Sequence, residues 1–134
     1  MKNVFDSILN KGWGILLLRL FVGFRLIYGT MDNVWHWDRM IEFSQFLEAQ
    51  KFPYPLVCAV ISVYAQFICG ILIILGFYIR WVSAIMIINF IIATSIHISE
   101  GIPAMTPPLL ILLSCFLFLL EGSGPLSLRS KNIQ

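Results

Sequence analysis

Hydrophobic positions in this chain fall into long unbroken runs, with polar positions clustered between them. Four runs stand out: Trp13 to Met31, Pro55 to Tyr78, Trp81 to Ile98 and Pro103 to Leu120. Each approaches the ~20 residues that an α-helix needs to cross a hydrocarbon core of about 30 Å. A barrel strand needs about half that length, and lipid offers exposed backbone no hydrogen-bond partner, so runs this long predict helices. The expected fold class is all-α: a four-helix transmembrane bundle with helices over about 13–31, 55–78, 81–98 and 103–120, forming one domain across residues 1–134.

The polar connections add two features. In VWHWDRMIEFSQFLEAQKFPYP, the apolar residues Met40, Ile41, Phe43, Phe46 and Leu47 recur at three- to four-residue spacing. That period predicts a short amphipathic helix on the outer face, serving either as a simple connector or as a lid over a site opening outward. In EGIPAMTPPLL, Thr106 is expected to cap the fourth helix and Pro107 to occupy its first position, where a missing N–H is harmless. Counted from there to Leu120, the helix is only about 21 Å long at 1.5 Å per residue. Residues 101–106 would then enter the membrane as irregular backbone, which is tolerated only against protein or a watery cavity. A pocket near the outer face is therefore expected.

Composition supports a membrane protein, since 59% of the 134 residues are hydrophobic and 12% are charged. A soluble domain carries about twice that charge. The first run resembles a secretory signal but lacks an A-x-A cleavage site and holds two arginines, so it reads as a retained helix. Lys2, Lys11, Arg80, Arg129 and Lys131 outweigh Arg39 and Lys51, which places both termini in the cytoplasm and the chain in the cell membrane as a multi-pass protein. Trp13, Tyr78 and Trp81 on one side, with Trp35, Trp37 and Tyr54 on the other, fit the aromatic belts of that topology. The expected partners are the lipid bilayer and either further copies of this chain or a redox partner subunit, not nucleic acid.

Cys58, Cys69 and Cys115 all lie within spans, and there is no C-x-x-C. Cys58 and Cys69 are about 16 Å apart along one helix, too far for a disulfide within a chain. Small buried apolar residues are the simplest reading of all three.

The charges inside the first span need an explanation. Arg19 and Arg25 straddle its midpoint and point about 120° apart. Estimates for arginine at mid-bilayer start at about 2.5 kcal/mol and run much higher, so both are expected to face the bundle interior and to have partners. Asp32, seven residues from Arg25, lies about 10 Å along the axis; Arg19 has no acid at its depth. Two readings stay open. The arginines are structural, Arg25 pairing with Asp32 or with helix-end carbonyls and Arg19 snorkelling; or they hold an anion or a carbonyl-rich ligand such as a quinone. Ser62 and Gln66 belong to a stripe with Ala59, Cys69, Gly70 and Gly76 on the second helix, and Asn89 sits mid-way along the third. Arg19, Arg25, Ser62, Gln66 and Asn89 are thus the candidate ligand-binding residues. Asp32, His97 and Glu100, at outer helix ends, are candidates for an outer proton relay. A metal site is not expected from an H-x-x-E spacing alone.

The segments RLFVGFRLIYG and AQFICGILIILGFYIRW, followed by a hydrophobic run ending in His97, resemble the DoxX family of small four-helix membrane proteins. The resemblance runs from Gly14 to about Gly124. It departs where many members carry a lysine, here Asp32, and where many carry an acid in the second helix, here Gln66. The resemblance implies the four-helix fold and a membrane subunit of a quinone-linked, thiosulfate:quinone-type oxidoreductase, with a quinone or sulfur oxyanion bound in the bundle and no covalently bound cofactor. A small-anion transporter and a structural subunit of a larger membrane complex are the alternatives.

Overall fold

The computed structural model describes residues 12–124, together with Val4 and Asp6. Five helices follow in order: α1 (Trp13–Trp35), α2 (Trp37–Ala49), α3 (Pro55–Leu75), α4 (Ile79–His97) and, after a 3-10 turn at Ile98–Glu100, α5 (Ile102–Glu121). There is no strand among the described residues. α1, α3, α4 and α5 are each long and apolar enough to cross a membrane, and α2 is the amphipathic connector. Lys2, Lys11, Arg129 and Lys131, which carry most of the charge bias, lie outside the described residues.

Three helix boundaries differ from expectation, each for a local reason. α1 continues past Met31 to Trp35, and only His36, with φ −123°, leaves the helical region. Thr30 is accommodated because its hydroxyl donates to the Leu26 carbonyl at 2.7 Å. α3 stops at Leu75, not Tyr78, because Gly76 turns left-handed at φ 80°. Its N–H donates to the carbonyls of Leu72 and Ile73, and Phe77 N–H to Leu72, closing a Schellman-type cap that the continuing hydrophobicity conceals. α5 begins at Ile102, so residues 102–106 are helical rather than irregular, and Pro107 and Pro108 lie inside the helix. Thr106 does not cap; its hydroxyl donates back to the Ile102 carbonyl at 2.6 Å. The prolines leave the carbonyls of Pro103 and Ala104 without their helical N–H donors, which is tolerated at membrane depth beside a cavity.

The spans form a ring in the order α1, α3, α4, α5. α1 packs along α3 and α4 along α5, whereas α1 and α5 meet only sparsely; no Cα of α1 lies within 8 Å of α4, and none of α3 within 8 Å of α5. The α1–α3 crossing is tight because two glycines face each other. A Cβ on Gly23 would stand 2.6 Å from the Gly70 carbonyl oxygen, and one on Gly70 would stand 2.9 Å from that of Gly23. Such small-residue crossings drive helix association where lipid supplies no hydrophobic force. The main core gathers Val22, Leu26, Ile73, Met86, Phe90 and Phe118. A second cluster, Met40 and Leu47 of α2 on Ala59 and Val63 of α3, binds α2 across the Trp35 end of the bundle. Leu17, Phe21, Phe24 and Tyr28 face outward, as lipid-facing residues do.

Candidate functional site

The two arginines of α1 have different fates. Arg19 is 1% exposed, and its guanidinium is held by main-chain carbonyls: Nε donates to Ile73 at 3.0 Å, Nη2 to Ile74 at 2.9 Å and Nη1 to Ser123 at 2.9 Å. Ile73 and Ile74 end α3, and Ser123 follows the end of α5. Arg19 therefore caps two helices from a third, where orphan carbonyls and the negative ends of helix dipoles favour a cation. The longer α1 moves its centre to Phe24, so the arginines still lie on either side of it, but Arg19 stands about 7.5 Å away, nearer the Trp13 end than expected, at 1.5 Å per residue. Arg19 does not line the cavity described next.

Arg25, Ser62, Gln66 and Asn89 do come together. They line a cavity of about 530 Å³ enclosed by α1, α3, α4 and α5 and covered by α2. The volume lies within the range of about 300–1,000 Å³ typical of small-molecule sites, which combine apolar walls with a few placed polar groups. Ser62 Oγ donates to Asn89 Oδ1 at 2.8 Å and accepts from Gln66 Nε2 at 3.0 Å, linking α3 to α4. Within this network Gln66 Oε1 remains an acceptor and Asn89 Nδ2 a donor for an incoming group. Arg25 has neither a hydrogen-bond acceptor nor an ion-pair partner among the described residues. The proposed pairing of Arg25 with Asp32 is therefore absent. Gly29, one turn along α1, leaves room for the guanidinium: a Cβ there would lie 3.0 Å from Arg25 Nη1.

α2 forms the roof, with Phe43, Phe46 and Leu47 joined by Phe52 of the following loop. At the rim, His97 Nδ1 lies 3.0 Å from Glu100 Oε2, and its ring stacks on Phe46 at a centroid distance of 6.2 Å. His97 also lines the cavity. Asp32 is exposed, with no hydrogen bond or ion pair to His97 or Glu100, so only two members of the expected relay meet. Among the described residues no three His, Cys, Asp or Glu side chains are grouped to hold a metal ion. Cys58 Sγ lies 3.2 Å from the Pro53 carbonyl, while Cys69 and Cys115 are buried on α3 and α5. The separation of those two helices exceeds the ~4.4–6.8 Å Cα span of a disulfide.

The sequence pattern places Gly29 on the Arg25 face, but it does not show Phe46 as the partner of His97 or the two prolines as part of the wall. Gly29 was visible as the small residue at i+4 from Arg25; the aromatic stack has no counterpart in spacing.

Four candidate spans around a largely apolar cavity with a few polar groups, under an amphipathic roof, define a small polytopic membrane protein. A sequence model of the DoxX family matches residues 14–98, and the chain belongs to that family. No curated protein and no solved structure matches it.

Proposed function

We propose that the chain is a redox-associated membrane subunit whose bundle binds a quinone or a small sulfur oxyanion in the cavity beside Arg25. The observation that carries this reading is the Arg25 guanidinium, which stands on the cavity wall without an acceptor among the described residues. A charge at that depth is expensive, and a ligand oxygen is what the site lacks. The residues fit a quinone: Arg25 and Asn89 Nδ2 would donate to carbonyl oxygens, and Phe43, Phe46 and Ile111 supply apolar wall. A bound quinone supplies two-electron redox chemistry, and the protein supplies orientation and electrostatics. Electrons would come from a partner, since the cysteines form no dithiol. His97 with Glu100, at the rim, is the place for proton exchange with water. Both termini are read as cytoplasmic, in the cell membrane.

The test uses purified protein in nanodiscs, titrated with decylubiquinone and with sodium thiosulfate. Arg25→Gln is expected to weaken binding of the true ligand at least tenfold with helicity unchanged by circular dichroism. Equal affinity in the folded variant would sink the reading.

A further inference from the structure

The cavity is not equally open on all sides. Its roof is nearly shut: Leu47 is 5% exposed, and Phe43, Phe46 and Phe52 are half-buried. It is open on the α1 and α5 side, where the lining residues Arg25, Gly29 and Pro107 are exposed, and along α3 and α4, where the opening is lined by isoleucines. Ile61, Ile85, Ile88 and Ile92 line the cavity and are also 64, 51, 65 and 44% exposed. Behind these isoleucines, near the middle of both helices and hence of the bilayer, lies the Ser62–Asn89–Gln66 network. Below it Cys69 and Ile73 of α3 share one core cluster with Val82 and Met86 of α4, and above it Phe46 of α2 stacks on His97 of α4.

These features oppose entry from water. A free oxyanion would have to shed its hydration shell while passing three phenylalanines, and the polar station at the roof, His97, is already taken up by the Glu100 carboxyl group. A molecule already dissolved in hydrocarbon meets neither obstacle at the flank. Resting on the reading of the Arg25 cavity as a ligand site, we infer that it is loaded sideways from the bilayer through the α3–α4 seam. Its ligand is then a hydrocarbon-soluble molecule with a compact oxygen-bearing head and an apolar tail. The head reaches Arg25, Gln66 and Asn89, and the tail leaves between Ile61 and Ile88.

The experiment follows tritiated decylubiquinone binding by scintillation proximity on protein in proteoliposomes, with labelled thiosulfate as the water-borne probe. Occupancy by decylubiquinone is expected to follow the ligand-to-lipid ratio, falling when empty liposomes are added at fixed total ligand. Paired Ile61→Trp and Ile88→Trp substitutions are expected to slow association at least tenfold, and Ile88→Ala to hasten it. Phe52→Ala, which thins the roof from the following loop, is expected to leave the association rate within twofold. Seam variants without effect, together with faster binding in Phe52→Ala, would overturn lateral loading while leaving the site intact. So would Arg25-dependent binding of thiosulfate without binding of decylubiquinone. Binding of neither probe removes the site reading itself, and lateral loading with it.

Discussion

The Nη2 group of Arg19 lies 2.9 Å from the carbonyl oxygen of Ile74, where α3 has run out of amide donors. This charge is an internal clasp outside the cavity that Arg25 lines, and the two arginines of α1 differ in their surroundings. Arg19→Gln is expected to lower stability by about 3 kcal/mol, the scale of charge-assisted hydrogen bonds lost from buried acceptors. Arg19→Lys should recover only part, because an ammonium lacks the planar fork that reaches several carbonyls. Unfolding midpoints in mild detergent measure both, and a wild-type midpoint for Arg19→Gln would refute the clasp.

Gly23 and Gly29 are expected to respond in opposite ways to alanine. At Gly23 the new methyl meets the Gly70 carbonyl oxygen at 2.6 Å, so the helices must separate, at about 1–3 kcal/mol. At Gly29 it meets only the Arg25 guanidinium at 3.0 Å, which has room to swing. Gly29→Ala should keep the thermal midpoint within a degree or two while altering ligand affinity. A comparison of melting and binding for the two variants checks this.

The Ser62 hydroxyl joins α3 to Asn89 of α4 at 2.8 Å. Hydrogen bonds between membrane helices average about 0.6 kcal/mol, so Ser62→Ala should cost little stability. Its larger effect should be on binding, because Gln66 and Asn89 lose the group that orients them. Calorimetric titration of the variant would show this as weakened affinity; unchanged affinity would mean that the network does not position the site.

Two buried hydroxyls, Ser83 Oγ and Thr94 Oγ1, have no hydrogen-bond partner among the described residues. An unpaired buried polar group costs about 1–3 kcal/mol. Ser83→Ala is therefore expected to be neutral or to raise stability by about 1 kcal/mol, read as a higher midpoint in detergent. A clear loss would show that the hydroxyl is paired in the membrane.

The identity of the site residues was partly legible before the fold. Arg25, Ser62, Gln66 and Asn89 stand out as polar residues in apolar spans, and depth alone brings them to one level. Arg19 stood out for the same reason and turned out to have a different occupation. Asp32, seven residues from Arg25 and one of its possible partners by spacing, is exposed on α1 and forms no ion pair with Arg25 or His97 among the described residues. Proline's usual helix-initial place predicts a start at Pro107, whereas α5 begins at Ile102 and carries Pro107 and Pro108 inside it beside the cavity.

By itself the sequence determined the four spans and the amphipathic α2. Hydrocarbon thickness sets the length of a run and helical period sets its faces, and both are local. The tertiary structure alone decided which arginine is satisfied. The carbonyls that hold Arg19 lie 54, 55 and 104 residues away along the chain. Every residue carries such a carbonyl, so its availability depends on where helices end and meet, and no side-chain pattern records it.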